Sequence, residues 1–140
     1  MRRQKARETA FLLLYRMDMG GLTMQEAEEC VEHRPDPDIW HRAREWVQGV
    51  SKNRTRIDAI IARLSPNRDL GRISSTDRNV LRLATFELLY GKDTPAAVIA
   101  DQAIKLARKY GSPDSNRFVN GILGSIIREN EQITADPNQR

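Results

Sequence analysis

Apolar residues recur three and four positions apart along almost the whole chain, and nowhere does a run alternate apolar with polar residues between turn signals. A chain with that period has no edge to pair as a strand, and it buries its stripes by packing helix on helix. The fold class is therefore all-α, a compact bundle of about seven helices. From Arg3 to Met19, Ala6, Ala10, Leu13, Leu14 and Met17 share one face, and Gly20-Gly21 ends the helix. Thr23 caps a second helix running to about His33, before Pro35 and Pro37 punctuate the chain. Ile39, Ala43, Trp46, Val47 and Val50 form the inner face of a third helix. Ile57, Ile60, Ile61 and Leu64 form that of a fourth, which Pro66 stops.

The polar stretch from Ser65 to Ile73 is the one substantial loop, a seam between two helical halves at about 1–65 and 74–130. Neither half is long enough for a large core of its own, so residues 1–140 form one domain. Ser74-Ser75-Thr76-Asp77 has the form of a capping box, and it opens a helix apolar on nearly every side through Val80, Leu81, Leu83, Ala84, Phe86, Leu88 and Leu89. That helix belongs at the centre. Thr94-Pro95 supplies a cap and first-turn proline for the next, which carries Ile99, Ala103, Leu106 and Ala107 and leaves through Tyr110-Gly111. Phe118, Val119, Ile122, Leu123, Ile126 and Ile127 mark the last helix, with Gly121 and Gly124 as places for another helix to approach closely. A polar tail occupies 131–140.

The net charge is +4, and its distribution is uneven: the first sixteen residues hold Arg2, Arg3, Lys5, Arg7 and Arg16 against Glu8, while the remaining basic and acidic residues cancel. Basic groups in a first turn oppose the helix dipole, so they are not placed for local stability. A basic arm on a neutral body is the footprint of a polyanion binder. No catalytic constellation appears. His33 and His41 lack cysteine partners for zinc, Gly20-Gly21 lacks the lysine of a phosphate loop, and Glu28-Glu29 or Asp36 and Asp38 read as solvated surface. The chain is expected to be no enzyme and to need no cofactor or metal. Cys30 lies among Glu26, Glu28, Glu29 and Glu32, where no basic neighbour activates it, and reads as a helix-packing thiol. With no apolar run of membrane length and no secretory signal, the expected compartment is the cytoplasm, with no membrane contact.

Four patches then stand in order. They are Ala6-Arg7-Glu8 with Ala10 and Leu14-Tyr15; Asp77-Arg78-Asn79-Val80-Leu81-Arg82-Leu83-Ala84 with Glu87-Leu88; Pro95 and Val98-Ile99 through Tyr110-Gly111; and Asp114-Ser115 with Arg117-Phe118-Val119-Asn120-Gly121-Ile122-Leu123. Together they resemble the NusB transcription antitermination family across nearly the whole chain. The resemblance implies two helical subdomains and a role in ribosomal RNA transcription. There the chain would bind the single-stranded boxA element of nascent RNA beside a ribosomal small-subunit protein, NusE, within the RNA polymerase antitermination complex. Carried over by position, Arg3, Lys5 and Arg7 match the arginine-rich helix that meets RNA, with Arg2 in the same arm. Tyr15 matches an aromatic beside that helix, Arg82, Asp114 and Phe118 match positions near the same RNA surface, and Asp77 matches an acidic position facing the protein partner. The chain departs from the family at Gln4, where a third basic residue is common, and in its short arm before Arg3.

The physics of these residue types agrees. Unpaired bases are read by aromatic faces and arginine planes, and phosphates by cations. Tyr15 and Phe118 also sit on or beside apolar stripes, so burial in the core is an equal reading of both. About five basic residues in the arm predict a shallow salt dependence, and binding that strengthens beside the partner. Two rivals remain: a stand-alone relative of the RNA-binding domain of ribosomal RNA cytosine methyltransferases, and a protein-interaction scaffold whose partner is another chain or a second copy of this one.

Overall fold

The computed structural model describes residues 2–66 and 68–135, with side chains through 131. Among the described residues seven helices follow one another: α1 (Arg2–Gly20), α2 (Met24–Glu29), α3 (Pro37–Lys52), α4 (Arg54–Leu64), α5 (Ser75–Tyr90), α6 (Ala96–Tyr110) and α7 (Ser115–Ala135). A 3-10 turn at Leu70–Arg72 interrupts the seam, and no strand occurs among the described residues. The apolar spacing explains the packing. α5, buried from Asn79 through Thr85, is the axle of the fold, with α1, α3, α4, α6 and α7 all packed on it. α1 also packs on α2 and α3, and so belongs to both halves of the molecule.

Charge sets how α1 lies on α5. Near one end Arg7 forks onto Glu87; near the other, Arg78 and Asn79 reach Asp18. The two helices are therefore antiparallel. Arg82 extends the second cluster, donating to both oxygens of Asp58 on α4 at 2.8 and 3.1 Å and to Asp18 at 3.2 Å. A two-pronged Arg63–Glu129 pair then joins α4 to α7.

Several boundaries move from where the sequence put them. α2 stops at Glu29 rather than near His33, because the Cys30 N–H turns back onto Ala27 O and the chain bends to pack Val31 on the core. Cys30 itself is exposed, so it is not a packing thiol. Thr23 makes a full capping box with Glu26, as its spacing predicts. At α5 only half of the box forms: Ser74 Oγ accepts from the Asp77 N–H, but Asp77 Oδ1 is buried without a partner among the described residues. Thr94 does not cap α6, which Pro95 precedes; its hydroxyl accepts instead from Arg3. α7 continues to Ala135, past the expected start of the tail, and 136–140 lie outside the described residues.

Glycine does its close-packing work where the sequence did not point. A Cβ at Gly121 would meet nothing within 4 Å, and at Gly124 only the tip of Arg128. The close approach is at Gly49 on α3, where a Cβ would lie 2.2 Å from Phe86 Cζ. Gly21, at φ +61°, makes the left-handed turn that ends α1.

Candidate functional site

The expected site residues fall into four environments. On the outer face of α1, Lys5 and Arg16 lie on one line, eleven residues apart, and Glu8 and Tyr15 on the line beside it, seven apart. Glu8, on the same face, accepts from Lys109 Nζ at 2.6 Å, which stitches the end of α6 to α1. Partial burial works against ionisation of Glu8, yet the Lys109 hydrogen bond and charge outweigh it and hold the carboxyl below its ordinary range. The same pair raises Lys109. Lys5 is left with a 3.9 Å approach to this already satisfied carboxylate, and Arg16 has no ion-pair partner among the described residues. Tyr15 is half-buried, its ring 6.0 Å from that of Phe11, which in turn lies 5.1 Å from Tyr110. The aromatic row across α1 and α6 has one side in the core and the other in solvent.

Arg2 and Arg3 stand at the open end of α1. Arg2 pairs with Asp38 and approaches Asp36 at 3.5 Å; Arg3 donates to Thr94 at 2.7 Å and lies 3.6 Å from Asp93. All of these acids are exposed.

Arg7 and Arg82 are placed quite differently. Arg7 is 5% exposed, donates to Glu87 at 2.7 and 2.9 Å, and lies over the Trp46 ring at 5.3 Å. Arg82 is 4% exposed and spends its donors on Asp58, Asp18 and Asn79. A guanidinium is drawn inside only where carboxylates neutralise and saturate it, and both residues meet that condition. Asp18 feels the same arrangement: desolvation works to raise its pKa, but hydrogen bonds from Asn79 and Arg78, with the charges of Arg78 and Arg82, lower it overall.

Asp77, Asp114 and Phe118 come together at the far end of α5. They line a cleft of about 280 Å³, with Arg72 and Ser74 on its wall. Asp114 is exposed, Phe118 half-buried, and the unpartnered oxygen of Asp77 lies below them. That Oδ1 is a buried acceptor without a donor among the described residues, which ordinary packing does not tolerate cheaply.

Lys109 and Tyr110 border the α1 surface but were not read as site residues from the sequence. Lys109 stood there only as a basic residue in the last turn of a helix, which dipole complementarity already explains, and Tyr110 only as the helix exit and part of a family patch. Among the described residues no group of His, Cys, Asp and Glu is able to hold a metal ion, and no helix is long and apolar enough to cross a membrane.

An open aromatic and cationic helix face, beside a cleft whose acid lacks a donor, makes this an all-helical binding module built around surface contacts. The NusB family model matches residues 4–128, and the chain belongs to the NusB family. It is 37% identical over 136 residues to the transcription antitermination protein NusB of Desulforamulus reducens, covering 94% of each chain. To its counterpart from Myxococcus xanthus it is 41% identical over 130 residues, covering 89% of this chain and 93% of that one. The fold superposes on Thermotoga maritima NusB with a TM-score of 0.84 at 39% identity, over 91% of each. On NusB in a crystal structure of the antitermination factors NusB and NusE in complex with double-stranded RNA, the TM-score is 0.78 at 29% identity, over 91% of this chain and 97% of that one.

Proposed function

We propose that this chain is a transcription antitermination factor that holds boxA-type RNA of ribosomal transcripts together with a NusE-type ribosomal small-subunit protein, in the cytoplasm and without catalysing a reaction. The observation that carries this reading is the likeness, over nearly the full chain, to a NusB solved with both NusE and RNA. The surface fits the task. Lys5, Arg16 and Tyr15 offer phosphate and base contacts along the outer face of α1, with Lys109 beside them. Arg2 and Arg3 exchange exposed carboxylates for phosphates at little cost, since exposed ion pairs are worth only about 0–1 kcal/mol. Arg7 and Arg82 serve from beneath by holding α1 and α4 on α5. Asp77 takes its missing donor from the protein partner, and Asp114 and Phe118 stand where that partner and the RNA meet.

Fluorescence anisotropy of a labelled boxA-type RNA, beside a scrambled RNA and a duplex, tests this with and without the NusE partner. Binding that is sequence-dependent, strengthened by the partner and weakened by Lys5→Ala is the expected result. Asp77→Asn should reduce only the strengthening. Equal binding of all three RNAs, indifferent to the partner, would leave a helical scaffold with a basic end.

A further inference from the structure

On the side of α1 away from Tyr15, a groove opens between α3 and the turn from α5 to α6. Arg3 stands at its mouth, and Arg42, Trp46, Phe86, Tyr90 and Lys92 line it. Three features set it apart from an ordinary surface crease. Its aromatic side chains are all half-buried, each with one side in the protein and one toward the groove. Phe86 and Tyr90 lie 5.4 Å apart, and Phe86 is seated against α3 at the one helix position, Gly49, that has no Cβ to exclude it. The rings already carry guanidinium groups: Arg42 lies 5.8 Å from the Trp46 ring, and Arg56 lies 5.7 Å from the Tyr90 ring while donating to its hydroxyl at 3.0 Å.

The charge also leans positive. Glu87 is taken up by Arg7 from beneath, so Arg3, Arg42 and Lys92 face Asp93 and Glu45 across the groove, and Arg56 adds a further cation at Tyr90. Arg42, Lys92 and Arg56 have no ion-pair partner among the described residues. Flat electron-rich faces interleaved with free cations match a base-and-phosphate polymer, and Ile99, the aliphatic part of the wall, is buried and offers no apolar anchor to a protein.

We propose that this groove takes unpaired nucleobases of the RNA segment that continues past Arg3, so that RNA follows α1 on one side and turns onto α3 and α5 on the other. The inference rests on the RNA-binding reading above. It adds a base-stacking subsite on Trp46 and Tyr90, with Arg42 and Lys92 for the intervening phosphates.

The test compares a minimal boxA-type RNA with the same RNA carrying four unpaired nucleotides at its 5′ end or at its 3′ end. One extension should tighten binding by about tenfold for each base that stacks. Tyr90→Ala and Arg42→Ala should each remove that gain and leave the minimal RNA bound as before, while Tyr90→Phe keeps it. Quenching of tryptophan fluorescence by the extended RNA alone, abolished in Trp46→Phe, would place the bases at the groove. Equal binding of minimal and extended RNA, or a gain that Tyr90→Ala and Arg42→Ala leave intact, overturns the subsite while the main reading stands. Failure of every RNA to bind overturns both. Binding of the NusE partner that is lost in Tyr90→Ala, with no effect of RNA length, would instead assign the groove to protein.

Discussion

Replacing Arg7 by alanine separates a structural arginine from an RNA-contacting one. Its guanidinium and the Glu87 carboxylate are each about 6% exposed, and two hydrogen bonds join them. Removing one partner leaves a carboxylate desolvated against α1, at a cost of about 3–5 kcal/mol. A domain of this length unfolds with an entropy near 0.3 kcal/mol per kelvin, so the melting temperature should fall by roughly 10–17 °C. Replacing both partners, Arg7→Met with Glu87→Leu, should recover most of the loss. Urea unfolding followed by circular dichroism at 222 nm measures Arg7→Ala, the double variant and its two singles. RNA affinity of Arg7→Ala, taken well below its melting temperature, should be close to that of the parent. A loss under about 1 kcal/mol, or a double variant as unstable as the sum of the singles, would refute the reasoning.

Lys5→Ala is expected to lower the slope of log affinity against log salt by about 0.7 for single-stranded RNA, as loss of one phosphate contact requires; a titration series from 50 to 300 mM salt reads it. Gly49→Ala drives a methyl into Phe86 and should cost about 1–3 kcal/mol, and Gly49→Ala with Phe86→Leu should cost less than Gly49→Ala alone, by urea midpoints. Asp18 has a folded-state pKa below its unfolded value, so the stability it contributes is present above about pH 4 and lost as pH falls through the folded value. Asp18→Asn should therefore show a flatter stability profile between pH 5 and pH 3, with a lower plateau at pH 7. Asp77→Asn leaves folding within about 1 kcal/mol of the parent, because among the described residues its Oδ1 makes no bond to lose.

What the sequence made legible was whatever depends on spacing along the chain. Helical period and punctuation located all seven helices, and the continuous apolar character of Val80 to Leu89 marked α5 as central before any contact was known. What it hid depends on who stands opposite. Arg7 and Arg82 look the same in sequence as Lys5 or Arg16. Only the arrival of Glu87 from 80 residues away, and of Asp58 and Asp18 from α4 and α1, turns two arginines inward. The same holds for glycine: Gly121 and Gly124 share a helix-contact spacing, yet the position that needs its missing Cβ is Gly49, because Phe86 lands there. Cys30 was read from its neighbours in sequence, and the early end of α2 put it in solvent. Of the site, the cleft that gathers Asp77, Asp114 and Phe118 was foreshadowed only by the family resemblance, since Asp77 on α5 stands at least 37 positions from Asp114 in the turn before α7 and Phe118 on α7.

The way α1 lies on α5 also works as a polarity code. Along α1 a cation precedes an anion, Arg7 then Asp18; along α5 two cations precede an anion, Arg78 and Arg82 then Glu87. Laid antiparallel, every charge meets its opposite. Laid parallel, Arg7 would face two arginines and Asp18 would face Glu87, in surroundings too dry to screen either clash. The apolar stripes would accept both directions, because Leu and Ala carry no arrow. A reversed first helix would bury like charges against each other, and the buried arginines are what make that orientation the costly one.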